Sequence, residues 1–463
     1  MEFSVGTSLV IFTIFVCKRA ITCLDDAMFR DAVNSSDYVD KTNFIKYFHA
    51  LDGPAYVTAP RWFGKTLAIS TLRAFYDIDA NTGSNSSKTL SPNYKAFSTL
   101  AGRPKLNESV FEDRSFFNSH FASRPVLSLS FNQLSVSSKE DLLASLETLI
   151  RTVYMKHEYV LNSKKLTAHD HKMFKLYSDT TRNKTESDLL TAGQTLTGIL
   201  FRYFSKQCLV LVDDFDAPAL LFLTIPNVAG KHLDIAVFDV LDKFTGALLK
   251  NNDALFKALL VGRTGLARQY LTKAGNVHFL SFAQQSEVAR FFAFTEQEVK
   301  QIHAKDLPIT SLWNGGFRAR DTRNENDTLF NPSSVMRRRN SHELEVFSWW
   351  ATNLIHKVTI EWAMCRSSGI WKLVENAHAR GGAVVGAEAK YDIMALFDLL
   401  SKEDGETLSD KERDIFAYYF WDLGIFTFLK SVGTEIMLIV PNFEVRKHLS
   451  EIFMRNRHAK SFD

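Results

Sequence analysis

An α/β fold, a parallel sheet covered by helices, is predicted by the alternation of short apolar runs with longer helical patterns between residues 55 and 281. Residues 55–58 form a short apolar run that leads through Pro60-Arg61-Trp62-Phe63-Gly64-Lys65-Thr66 into 67–76, which has helical spacing. Residues 209–212 are a continuous apolar run ending in Asp213, the pattern of a strand buried on both faces of a parallel sheet. Further strands are expected at 126–131, 258–261 and 277–281, with helices at 142–154, 189–204 and 238–249 filling the crossovers. Residues 81–93, rich in Ser, Asn, Thr and Gly, read as a surface loop.

The C-terminal part has a different texture. Beyond residue 290 helical patterns dominate, broken by the polar, Arg-rich stretch 318–339. Residues 425–429 and 435–440 flank Ser431-Val432-Gly433, a hairpin signal, and Pro441-Asn442 opens a last helix. Helices followed by a hairpin suit a winged-helix-like region over 291–463, behind an α/β domain over 24–290. No internal repeats are visible.

The 463 residues allow two or three domains, and 46% apolar with 23% charged residues is ordinary for a globular chain. The 38 phenylalanines are spread along the whole chain and point to aromatic core packing. A net charge of +3 gives no support to a polyanionic partner, so nucleic acid is not expected. Cys208 and Cys365, the two cysteines outside the N-terminal segment, form no disulfide framework and no zinc spacing. They read as buried small hydrophobes.

Residues 5–17 are apolar, too short to span a bilayer but suited to the core of a secretory signal. Ala20 and Thr22 precede Cys23 at cleavage-site spacing, so residues 1–23 are expected to be removed. That places the protein outside the cell or in the secretory lumen, with no transmembrane segment after removal. The alternative is a mis-set start or an interfacial anchor, because Glu2 stands where a cation belongs and Lys18 and Arg19 follow the apolar core. Five sequons, at Asn34, Asn85, Asn107, Asn183 and Asn326, become glycosylation candidates if the signal works.

Gly64-Lys65-Thr66 between a strand and a helix is the end of a Walker A loop. Backbone N–H groups at the helix start cradle phosphate oxygens, Lys65 neutralises them and Thr66 ligates magnesium. Arg61, Trp62 and Phe63 complete the expected nucleotide-binding loop. Ala59 stands where the full pattern has glycine. The run 209–212 followed by Asp213-Asp214 has the form of a Walker B strand: Asp213 would hold magnesium and Asp214 would activate water. A strand end followed by a solvated Asp turn is the bland alternative. Arg263 and Arg268 follow the 258–261 strand and are further candidates beside these acids. Arg337, Arg338 and Arg339 read as a solvated loop, or as a contact to phosphate or an acidic partner.

With those residues in place the chain resembles the AAA-ATPase-like family, from Tyr38 to about Leu449. Besides the P-loop and Val212-Asp213-Asp214-Phe215-Asp216-Ala217-Pro218, Tyr38-Val39-Asp40-Lys41-Thr42 is similar to its opening motif. Phe294-Thr295-Glu296-Gln297-Glu298-Val299, Trp313-Asn314-Gly315-Gly316 and Phe330-Asn331-Pro332-Ser333-Ser334 look like internal motifs. Leu423-Gly424-Ile425-Phe426-Thr427 and Pro441-Asn442-Phe443-Glu444-Val445-Arg446 resemble the closing ones. The resemblance implies a P-loop NTPase that binds ATP with Mg2+, with Arg263 or Arg268 near where related ATPases place sensor residues. Trp62 replaces the family's second loop arginine, Asp214 replaces its Walker B glutamate, and no nuclease-like domain is expected after the last motif. Two readings follow: an ATP-binding ATPase or switch, slow in hydrolysis, or a secreted pseudo-ATPase that contacts a protein partner the sequence does not name.

Overall fold

The computed structural model describes residues 27–78, 85–103, 108–224, 234–324, 327–340, 360–361, 363–364, 367–379, 381–402 and 408–460. The expected signal segment, Cys365, Asn107 and Asn326 lie outside these residues, and of Asn85 only the backbone is described.

Five strands build the central sheet: β1 (Ala55–Thr58), β2 (Val126–Ser130), β3 (Cys208–Asp213), β4 (Leu255–Gly262) and β5 (His278–Ser281). Their order is β2-β3-β4-β1-β5 and every pairing is parallel, as the sequence predicts. Side chains alternate across a strand, so each strand feeds two cores. Tyr56, Val210, Val212 and Leu260 face one side, where the helices Lys139–Lys156, Glu186–Phe204 and Ala236–Leu249 cover them. Val57, Leu209, Leu211 and Val261 face the other, against the helix Lys65–Tyr76. Burial on both faces is the reason β3 reads as an unbroken apolar run. Phenylalanine concentrates on the second face, where Phe75 touches Phe97, Phe116, Phe117 and Phe121 with ring centroids 5.5–5.9 Å apart.

Helix starts follow their local chemistry. Thr167, Thr185 and Ser409 each make a reciprocal capping box with the acid three residues on. The stretch 81–93 is not wholly loop. Asn85–Leu90 is a 3-10 helix, and Pro92–Leu100 is an α-helix whose first turn Ser91 caps by accepting from the Tyr94 N–H.

The C-terminal region holds more strand than the sequence suggests. β6 (Phe294–Thr295) pairs antiparallel with β7 (Leu329–Phe330), two pieces too short for a periodic signal. β8 (Ala383–Gly386), β9 (Thr427–Val432) and β10 (Glu435–Ile439) form a separate antiparallel sheet ordered β8-β10-β9. Gly433, at φ 61°, turns the β9–β10 hairpin. The helices Ser368–His378, Ile393–Ser401 and Asp410–Asp422 accompany this sheet, and Phe443–Lys460 closes the chain. Asn442 caps that last helix by accepting from the Val445 N–H. The Arg-rich stretch is partly helical: Pro332–Asn340 carries Arg337 and Arg338, both half-buried, which corrects the expectation of a solvated loop. Among the described residues no helix is long and apolar enough to cross a membrane.

Candidate functional site

The C-terminal ends of β1, β3 and β4 converge, and the residues that follow them form the site. Open parallel sheets collect ligands at that edge because loops and helix starts meet there. β4 lies between the strands that lead to Lys65 and Asp213.

After β1 the chain makes a tight loop. Ala59 is buried and donates its N–H to the Gly262 carbonyl (3.1 Å), continuing the β1–β4 pairing. Its φ is not positive, so the missing glycine costs the backbone nothing there. The positive φ values fall instead at Trp62 (70°) and Gly64 (75°). Gly64 takes that conformation freely, but a bulky residue such as Trp62 is strained in it by about 1–3 kcal/mol. Ser333 and Arg337 from outside the loop, and Arg61 within it, hold Trp62. The Ser333 hydroxyl donates to the Trp62 carbonyl (3.0 Å), and the guanidinium carbons of Arg61 and Arg337 lie 4.7 and 4.6 Å from the indole centroid. Phe63 turns into the core between Phe282 and Phe317, at 4.8 and 5.0 Å, so only its backbone can face a nucleotide. The helix Lys65–Tyr76 starts without a side-chain cap, which leaves its first turn to an outside acceptor.

Lys65 is 8% exposed. Its Nζ donates to the carbonyls of Ala59 (2.6 Å) and Pro60 (2.7 Å). Burial lowers its pKa to about 8, and Arg263 adds to the effect, while Asp216, Asp214 and Asp213 oppose it. The ammonium therefore stays largely charged at neutral pH. Asp213 ends β3, buried, and its carboxylate accepts from the Thr66 hydroxyl and from the Asp214 N–H (2.9 Å). Burial, then the neighbouring Asp214, pushes its pKa up, so the carboxyl pair is a place that favours a cation. Asp214 has φ 47°, a conformation Asp tolerates better than most residues. Its Oδ1 lies 3.4 Å from Arg263 Nη2 in a half-buried ion pair. Arg268, in contrast, stacks over Phe279 at 4.7 Å.

Asp216 is a further site residue, with no role predicted from the sequence. It is 1% exposed, and its Oδ2 accepts from the N–H groups of Arg263 (2.9 Å) and Thr264 (2.8 Å) and from the Thr264 hydroxyl (2.8 Å). The Asp216 carboxylate thus fixes the loop carrying Arg263. A third acid two residues beyond the Asp213-Asp214 pair was its only sequence signal. The contact of Arg337 with Trp62 had none, because 275 positions separate the two residues and no periodicity links them.

The donor set fits a magnesium–nucleotide complex: a left-handed Gly64 at a helix start, a buried ammonium, and a hydroxyl–carboxylate pair between Thr66 and Asp213. Together the parallel sheet and this site define a P-loop-like α/β protein. The family model of predicted AAA-ATPases matches residues 29–272, over half of the 463, and the chain belongs to that family. No curated protein matches the chain.

Replacing Asp216 removes three hydrogen bonds to a buried carboxylate. Asp216→Ala is expected to destabilise the fold by about 2–4 kcal/mol in urea unfolding. A loss below about 1 kcal/mol would show that the Arg263 loop does not depend on it.

Proposed function

We propose that the chain binds Mg-ATP at Arg61–Thr66 and works as a nucleotide-dependent switch with slow hydrolysis. The observation that carries this is the Thr66–Asp213 pair beside buried Lys65, at the ends of two parallel strands. Lys65 and the first-turn N–H groups would meet phosphate, and Thr66 and Asp213 would hold the metal. Magnesium would supply charge neutralisation on the phosphate oxygens. Asp214 is one methylene shorter than the family's glutamate and already engages Arg263, which supports slow water activation. The same ion pair favours the second reading, a pseudo-ATPase interaction protein with no meaningful turnover.

For the C-terminal region we infer a winged-helix-like unit. Three helices interleaved with a sheet ordered β8-β10-β9 support this. The third helix, Asp410–Asp422, is buried from Ile415 to Trp421, which favours contact within the chain over a nucleic acid. A secreted or lumenal location is proposed on the apolar segment at 5–17, and Asn34 and Asn183 are exposed sequons. Expression in a eukaryotic cell should yield glycosidase-sensitive mass, whereas an unglycosylated product retaining Met1 would reject that location.

Millimolar Mg-ATP should raise the thermal midpoint of the wild type but not of Lys65→Ala, which leaves phosphate facing backbone dipoles alone. Equal shifts in both proteins, or none in either, would overturn the nucleotide reading.

A further inference from the structure

The segment Arg263-Thr264-Gly265 follows β4 and is gripped from two sides. On the sheet side Asp216 holds Arg263 and Thr264, and the Tyr56 hydroxyl donates to the Thr264 carbonyl (2.6 Å). On the other side stands the C-terminal region. The Gly265 N–H donates to both Asp422 Oδ2 and the Tyr391 hydroxyl oxygen, each at 3.0 Å, and Tyr391 donates its own proton to Asp422.

Asp422 is the last residue of the helix Asp410–Asp422, and Tyr391 directly precedes the capping residue of Ile393–Ser401. Two residues past Asp422, Gly424 takes φ 79° and packs so closely on the P-loop that a Cβ there would lie 2.9 Å from Pro60 Cβ. One corner of the C-terminal region therefore touches the loop carrying Arg263 and the loop carrying Lys65. Arg263 itself reaches back to Asp214.

A half-buried carboxylate is a costly way to join two regions. Burial pushes the Asp422 carboxyl up to about 6, and the nearby Asp216 adds in the same direction. An apolar side chain could fill the same space without that desolvation cost, but it could not accept the Gly265 N–H. What the carboxylate adds is a fixed place for one backbone amide, two residues from Arg263.

We propose that Asp422 and Tyr391 are positioning residues: by holding Gly265 they set Arg263 where it meets the third phosphate of a bound nucleotide, so the C-terminal region takes part in telling triphosphate from diphosphate. This rests on the nucleotide reading of the P-loop. The first two phosphates would be held by the P-loop, whose contact with this corner runs through Gly424 on Pro60 and not through the Asp422 or Tyr391 side chains, so loosening the latch acts first on the distal phosphate.

The test is equilibrium binding of Mg-ADP and of a non-hydrolysable Mg-ATP analogue to the wild type, Asp422→Ala, Asp422→Asn and Tyr391→Phe. The wild type should prefer the triphosphate. Asp422→Ala should lose about fivefold or more of that preference with Mg-ADP affinity unchanged. Asp422→Asn, whose amide oxygen can still accept from Gly265, should keep most of it. If the alanine variant does not fold, Tyr391→Phe, which removes one hydroxyl, must show the selective loss. Equal weakening of both ligands, no change in either, or an asparagine variant as poor as alanine would overturn the inference. A wild type that binds both nucleotides equally overturns it while leaving nucleotide binding intact. A wild type that binds neither defeats the nucleotide reading and this inference with it.

Discussion

A lysine ammonium placed where water is excluded must be surrounded by oxygens, and the arrangement around Lys65 shows how much of the fold answers to that demand. Two loop carbonyls accept its protons, and three carboxylates on the segment 213–216 offset its desolvation. Those groups come from the loop after β1, from the end of β3 and from the turn after it. They meet only because β1, β4 and β3 run parallel and in register, with β4 between the other two. The alternating apolar faces of these strands, each buried against its own set of helices, hold that register.

The loop over this ammonium is not closed by the α/β domain alone. Trp62 sits in the left-handed region, and its carbonyl and ring are held by Ser333 and Arg337 from the helix Pro332–Asn340. Further along, Gly424 lies against Pro60, and the Thr427 hydroxyl accepts from the Arg318 N–H at 2.7 Å. The C-terminal region thus supports the strained part of the P-loop. A tryptophan at position 62 is tolerable in this chain because packing from a distant segment over-determines its conformation.

The sheet was readable because burial on both faces leaves continuous apolar runs, and the acids at the end of β3 stood out against that run. Gly64-Lys65-Thr66 is a common tripeptide and gained weight as a site candidate only beside the acids at the end of β3. The Arg337–Trp62 stack, the Asp422–Gly265 contact and the strands β6 and β7 were not. Each joins residues with no local pattern, and 157 positions separate Asp422 from Gly265. Phe63 was read as part of the nucleotide loop, yet its ring is a core anchor, since a motif gives the order of residues and not the direction of each side chain. The Arg-rich stretch misled for a related reason. Composition reads exposed charge, while Arg337 and Arg338 lie against the rings of Trp62 and Trp313, where guanidinium groups stack readily.

The central claim is that Lys65, Thr66 and Asp213 form one site for a metal–nucleotide complex, and its metal dependence is the sharpest consequence. Calorimetric titration of the purified chain with ATP, once with excess Mg2+ and once with EDTA, measures it directly. The Thr66–Asp213 pair predicts saturable binding with magnesium, and affinity at least about tenfold weaker without it, since the buried Asp213 and half-buried Asp214 carboxyls then face the phosphates with no metal between them. Equal affinity under both conditions, or no heat in either, would contradict the account.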